Sequence, residues 1–389
     1  MKIAIFSDTF PPQVNGVANV VKNLATHLAN HGHKIYVVTV AKGFKKFKTI
    51  KKEENYTLIN VPSVPAMIYH GYRLALPNNW LLRYFKKNIP DIIHTHTPFL
   101  VGWEAVQLAK TLGCPLVGTH HTFYDQYLKH IKLDFAWTKK WSWKYTTKYY
   151  NRCELVISPS QSLAKTLQNH QLQKPLKIIP NPINQLFFQP PPSLLRKKQL
   201  KNKLGITGKS LVYMGRVSFE KNIEKIIKAL PLIKNKIPDI NLVIIGDGPE
   251  KKRLQKLTKD LGMQKHILFT GFLYQQELID TLQANEIFVT ASTSENMPLS
   301  VLEAMAVGLP VVAVKALGMP EIVEDRHNGL LTDTDNENEL AEKILKLLTT
   351  EDLLKKYALS SAQLAQKYTQ QKAILEHEKI YQQIIDKKL

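Results

Sequence analysis

Short, almost continuously apolar runs recur along the chain, each followed by a longer stretch with helical periodicity. In the first half they are Lys2–Phe6, Lys34–Val40, Asp91–His94, Pro115–Thr119, Glu154–Ser158 and Leu176–Ile179. Runs without polar alternation suit parallel strands covered on both faces. Between the first two, Val17, Val20, Val21, Leu24 and Leu28 share one face of a helix predicted over Val14–His31, with Gly32 just past its end. That is a βαβ unit, and its repetition predicts a doubly wound α/β sheet. The pattern halts at Gln189-Pro190-Pro191-Pro192-Ser193, which neither a helix interior nor a central strand can absorb. It restarts at Ser210–Met214 and continues through Asn241–Ile245, His266–Phe269, Glu286–Thr290 and Pro310–Val314, with helices such as Asn222–Leu232 and Pro249–Leu261 between. The expected organisation is two Rossmann-like domains, 1–190 and 191–365, and a polar helical tail, 366–389, packing back toward the first domain. In such sheets ligands bind beyond the carboxyl ends of the strands, so a cleft between the domains is the expected active site.

Composition changes the picture in one respect. The chain of 389 residues is 44% hydrophobic and 22% charged, ordinary for globular proteins, but its net charge is +21. Residues 1–190 hold 24 Lys and Arg against 8 Asp and Glu, a net of +16; the remainder holds 29 against 24, a net of only +5. A basic first half points to phosphates, nucleic acid or an anionic membrane as partners. Cys114 and Cys153 exclude a disulfide framework and lack metal-site spacing. A strand at Lys2 leaves no room for a signal peptide, and the longest apolar run, Val301–Leu317, is broken by Glu303, Gly308, Pro310 and Lys315. The expected location is cytoplasmic, with any membrane contact peripheral.

The candidate chemistry gathers after the strands of the second half. Following Thr290, a polar loop leads to Pro298, a residue suited to the first helical position. Loop amides there would meet an anion at a helix N-terminus. Glu295 and Glu303 stand at the same place, and a carboxylate beside a phosphate site makes sense when it binds hydroxyls of the same ligand, as in a sugar nucleotide. Taken alone, the pair would equally suit a helix cap and a surface residue. Three neighbours weigh against that: Gly215-Arg216 with Lys221, whose cations suit a pyrophosphate; Gly246-Asp247-Gly248-Pro249; and Gly271-Phe272-Leu273. Glycine at a strand end permits close approach by a ligand.

Together these motifs resemble the retaining glycosyltransferases of family 4, from Phe6-Ser7-Asp8-Thr9-Phe10-Pro11-Pro12 and Asn15-Gly16 through to Pro320-Glu321 and Asn328-Gly329. The resemblance implies the GT-B fold, two Rossmann-like doubly wound domains facing a central cleft. It implies that Arg216 and Lys221 neutralise the diphosphate leaving group, that Glu303 holds the ribose hydroxyls and that Glu295 holds the donor sugar. The amides of Asn296, Met297 and Leu299 would contact sugar and phosphate, Gly16 would let its loop approach the donor, and the backbone at Phe272 and Leu273 would hold the base. His121, directly before Thr122, matches the family histidine that hydrogen-bonds the donor sugar. The catalytic set is therefore His121, Arg216, Lys221 and Glu295, with a nucleotide-sugar donor, no cofactor and no required metal. Asp333-Thr334-Asp335 has metal-pair spacing but reads as a solvated loop. The chain departs from the family pattern at Asn181-Pro182-Ile183-Asn184, at Met297-Pro298 where Phe-Gly is common, and at Leu317-Gly318 where Gly-Gly is common.

On the acceptor side, Trp137, Trp141, Tyr145 and Tyr149 recur every four residues beside Lys140, Lys144, Lys148 and Arg152. If helical, the two stripes suit a lipid headgroup interface, or else the rings simply pack on their own domain. The Lys42–Lys52 segment repeats the aromatic-basic theme. Within the family, the segments carrying His94, His96 and Tyr124 are most similar to bacterial diacylglycerol glucosyltransferases. The resemblance thus implies transfer of glucose from UDP-glucose to 1,2-diacylglycerol on the cytoplasmic face of an anionic membrane, with His96 and Tyr124 toward the acceptor. Other acceptors in view are a phosphatidylinositol, a soluble sugar or a polysaccharide precursor. A nucleic-acid-binding protein would explain the charge but not the motifs, so no nucleic-acid partner is expected.

Overall fold

The computed structural model of the chain describes residues 1–13, 15–41, 49–53, 55–65, 73–76, 79–128, 134–333 and 336–387. They form two units, Met1–Asn181 with Gln370–Leu389, and Pro182–Thr369. The first unit holds strands β1 (Lys2–Phe6), β2 (Lys34–Val40), β3 (Thr49–Lys52), β4 (Thr57–Val61), β5 (Ser63–Pro65), β6 (Arg73–Ala75), β7 (Ile92–Thr95), β8 (Leu116–Thr119), β9 (Leu155–Ser158) and β10 (Leu176–Ile178). Eight of them make one sheet in the order β10-β9-β8-β7-β1-β2-β4-β3, parallel throughout except for β3 at the edge, while β5 and β6 pair separately. The second unit holds β11 (Ser210–Met214), β12 (Asn241–Ile245), β13 (Ile267–Gly271), β14 (Ile287–Thr290), β15 (Val311–Val314) and β16 (Gly329–Thr332) in the order β13-β12-β11-β14-β15-β16. Both are doubly wound sheets, and the second has the Rossmann order.

The boundary differs from the expectation placed at the proline run. Ile183 and Phe187 are already buried in the second unit's core, and the Ile183 N–H donates to Tyr368 O at 2.8 Å. Pro190–Pro192 therefore lie inside the second unit and lead into the helix Leu194–Lys203, capped by Ser193. The last helix, Gln370–Asp386, belongs to the first unit, where Ile374, Ile380, Tyr381 and Ile384 join the core formed by β1, β2 and the helix Gly16–Asn30. Its Glu378 accepts from or pairs with His31 and His33 at 3.0 and 2.8 Å.

One residue that the sequence reading gave no role fixes the carboxyl edge of the first sheet. The helix Leu100–Leu112 begins at Phe99, which has no side chain able to cap it. Asp8, just beyond β1 and 3% exposed, caps it from outside: Oδ1 accepts from the Val101 N–H at 3.0 Å and Oδ2 from the Thr97 hydroxyl at 2.6 Å. The negative group thus meets the positive end of the helix. Burial nonetheless pushes the Asp8 carboxyl up to about 6, against the hydrogen bonds that pull it down.

Asp8→Ala leaves the Val101 amide without its acceptor and costs about 1–3 kcal/mol, whereas Asp8→Asn keeps an acceptor and costs less. All five Trp residues lie in the first unit, so the midpoint of urea denaturation followed by Trp fluorescence reads this unit. An Asp8→Ala midpoint equal to wild type contradicts the capping role.

Candidate functional site

In the second unit the strand order reverses between β11 and β14, so the loops leaving these neighbours part company at their carboxyl ends. The loop after β11 carries Gly215, Arg216 and Lys221; the loop after β14 carries Glu295, Asn296 and Met297. Three contacts tie them together. Lys221 Nζ lies 2.5 Å from Glu295 Oε1, the Asn222 amide donates to Ala291 O at 3.1 Å, and the Ser292 hydroxyl donates to Glu220 O at 3.3 Å. Burial alone lowers the Lys221 pKa, but the Glu295 carboxylate and Tyr213 beside it hold it above its ordinary value. Lys221 is therefore a fixed cation. Asn222 holds this turn in the left-handed region, φ 50°, where Asn is tolerated better than most residues.

The helix Leu299–Ala306 starts one residue later than expected, with Pro298 as its cap rather than its first residue. Its N-terminus supplies amides without intrahelical acceptors beside Glu295, an arrangement that holds anions. Asn296 and Met297 are buried, and Leu299 is half-buried. Glu303 lies on this helix, and burial pushes its carboxyl up to about 8. On the other side of β11, Phe272 follows β13 and is 41% exposed, with Leu273 half-buried and Tyr274 exposed beside them.

Two of the glycines in these loops have a packing cause. A Cβ on Gly246, at φ 134°, would lie 1.9 Å from Gly215 O, and one on Gly318 would lie 1.6 Å from Asn296 O. These two positions are small because strand-end loops touch each other there. Beside Gly318, Leu317 occupies the left-handed region at φ 47°, strain that a non-glycine residue carries where the family pattern has Gly.

In the first unit, β7 and β8 deliver a group of histidines. His94 is buried, its Nδ1 2.6 Å from the Tyr381 hydroxyl and its Nε2 2.7 Å from the Thr119 hydroxyl. His96 Nδ1 lies 3.0 Å from His121 Nε2. His120 is fully buried among Tyr124, Trp143 and Tyr150, with neither ring nitrogen bonded among the described residues. Burial, reinforced by the neighbouring imidazoles, pulls His94 and His96 well below the ordinary histidine value and His120 and His121 down to about 3. At neutral pH the group is uncharged and offers hydrogen bonds rather than charge. Tyr124 packs its ring on Phe99 and His120 at 5.2 and 5.3 Å. Gly16 opens the helix Gly16–Asn30 with no atom within 4 Å of where its Cβ would stand.

The aromatic-basic stretch is the helix Ala136–Tyr150, but its stripe divides. Trp137 and Trp141 are 69% and 65% exposed, joined by Phe135, which the periodicity did not single out and whose ring stacks on Trp137 at 6.3 Å. Lys140, Lys144 and Lys148 are exposed alongside. Tyr145 and Tyr149 instead serve the fold: the Tyr145 hydroxyl donates to Pro98 O and accepts from the Trp103 indole, and the buried Tyr149 hydroxyl bonds that of Thr95. Arg152 turns its guanidinium over Trp103 at 5.2 Å. Tyr145, expected to face lipid, is half-buried instead, because Pro98, and Trp103 of the helix Leu100–Leu112, hold its hydroxyl against the domain. Lys42–Lys48 of the second aromatic-basic segment lie outside the described residues, as do Val14, Thr334 and Asp335. Asp333 pairs with Lys315 at 3.5 Å. Among the described residues, no three His, Cys, Asp or Glu side chains are grouped to hold a metal, and no helix is long and apolar enough to cross a membrane.

Comparison with known proteins agrees with this geometry. The description "Glycosyltransferase Family 4" matches residues 14–185, and "Glycosyl transferases group 1" matches residues 196–363. An alpha-monoglucosyldiacylglycerol synthase of Streptococcus pneumoniae is 30% identical over 92% of this chain and 81% of its own. The Acholeplasma laidlawii protein of the same name is 28% identical over all of this chain and 98% of its own. Among solved structures, Anabaena HepE in complex with UDP superposes with a TM-score of 0.78 at 20% identity, covering 98% of this chain and all of that one.

Glu303 gives this site a measurable signature. Its folded pKa of about 8 exceeds the ordinary 4.5, so the folded state keeps a proton that the unfolded state has lost across that interval. Stability contributed by the protonated group is complete below pH 4.5 and declines as pH rises toward 8. Glu303→Gln removes this decline. Its melting temperature gains on wild type between pH 5 and pH 8, by differential scanning calorimetry, and parallel curves would contradict the raised carboxyl.

Proposed function

Because the chain belongs to the family 4 glycosyltransferases and is built from two Rossmann-like domains of the GT-B class, we propose that it transfers glucose from UDP-glucose to 1,2-diacylglycerol. The α-configuration is retained, and the reaction takes place on the cytoplasmic face of an anionic membrane. The observation that carries the reading is the exposed Phe135, Trp137 and Trp141 beside Lys140, Lys144 and Lys148, in a chain similar to two proteins named for glucosylation of diacylglycerol. Diacylglycerol cannot leave the bilayer, so its enzyme must come to the headgroup level, where indole rings and lysines are both at home.

Arg216 and Lys221 take the diphosphate, whose charge grows as the bond to the sugar breaks, and no metal is required. Glu303 accepts from the ribose hydroxyls and Glu295 from those of the sugar, while Phe272 and Leu273 flank the base. His121, neutral at physiological pH, hydrogen-bonds the sugar. The acceptor hydroxyl forms the new glycosidic bond on the face that the diphosphate leaves, and fixed charge rather than a protein nucleophile stabilises the transition state.

Purified protein, radiolabelled UDP-glucose and diacylglycerol in phosphatidylglycerol-containing vesicles yield label in the organic phase; label confined to water-soluble products would refute the lipid acceptor. Replacing Lys140, Lys144 and Lys148 with Gln removes about 1 kcal/mol of surface attraction each, and Trp137→Ser with Trp141→Ser removes the apolar anchors. Both sets lower co-sedimentation with anionic vesicles, and unchanged sedimentation would place the membrane contact elsewhere.

A further inference from the structure

His96, grouped by its sequence with the acceptor side, is 1% exposed and touches His121 instead. The two rings lie within 15° of coplanar with centroids 5.3 Å apart, as far as an in-line contact of their nitrogens requires. One proton occupies that contact, because burial keeps both imidazoles neutral. Two arrangements satisfy it. If His121 donates through Nε2, the proton of His96 sits on its own Nε2, a buried atom with no partner among the described residues. If His96 donates through Nδ1, that same Nε2 carries only a lone pair. A buried N–H without an acceptor is the rarer fault in folded proteins, an unused lone pair the more tolerable one.

We propose that His96 is a positioning residue that donates from Nδ1 to His121 Nε2 and thereby locks His121 as the Nδ1–H tautomer. His121 then offers a hydrogen-bond donor, and its ligand must present an oxygen lone pair, as a sugar hydroxyl does. The lock is rigid. The His96 amide donates to Phe6 O at 2.9 Å, and its ring packs on His94 at 4.1 Å. His94 is held in turn by Thr119 and by Tyr381 of the last helix. This inference rests on the reading of His121 as a residue that serves the donor sugar.

Two-bond proton–nitrogen correlation spectra of the full chain labelled with 15N-histidine, assigned with His96→Asn and His121→Asn, read the tautomers at neutral pH without substrate. The expected spectrum shows a protonated Nδ1 and a bare Nε2 on His121; the opposite pattern overturns the proposal. His96→Asn keeps an N–H near the place of Nδ1 and retains turnover of UDP-glucose. His96→Leu cannot donate: it mixes the His121 tautomers and lowers kcat on the order of 10- to 100-fold, with KM for diacylglycerol unchanged. Where His121→Ala is impaired, wild-type kcat in a folded His96→Leu protein also overturns the lock, and if that variant does not fold, the wild-type spectrum decides. Should the spectrum be as expected while His121→Ala turns over normally, the reading of His121 falls and the tautomer lock stands.

Discussion

Parallel pairing is the constraint on which this molecule depends. It brings the carboxyl ends of many strands to one edge of each sheet, and reversal of strand order beside β1 and β11 makes adjacent loops diverge there. On those edges sit Asp8, His96 and His121 in the first unit and Lys221 and Glu295 in the second, with Glu303 on the helix that begins there. The rest of each sheet is buried aliphatic packing that holds those ends still.

The two edges are electrically unlike. In the second unit a lysine and a glutamate are locked together, and the half-buried Glu303 carboxyl is pushed by desolvation up to about 8. In the first, four buried histidines from β7, β8 and the segments just beyond them are stripped of charge by burial and by one another.

Much of this was legible in the chain. Lys2–Phe6, Lys34–Val40, Ser210–Met214 and Asn241–Ile245 form strands with the expected limits, because unbroken β-branched runs admit little else. Strands that depend on a neighbour escaped: β3 is the polar run Thr49–Lys52, β5 contains Pro65, and β16 is only Gly329–Thr332. Composition marked the proline run as a boundary, yet packing of Ile183 and Phe187 put the division earlier. Periodicity found the aromatic helix but not which turns face inward, since Tyr145 and Tyr149 answer to Pro98, Trp103 and Thr95, partners remote in sequence. The Asp8 cap and the His96–His121 contact were likewise invisible, being matters of distance between separate strand ends.

The return of Gln370–Asp386 to the first unit makes the second an insertion within it. The insert closes on itself, for Ile183 bridges Thr369 at its two ends. During synthesis the second unit therefore has all its parts while the first still lacks Ile374, Ile380 and Tyr381 from its core and the hydroxyl that holds His94. The half of the molecule made first is the half that must be finished last, and its histidine edge takes its final form only when the closing helix arrives.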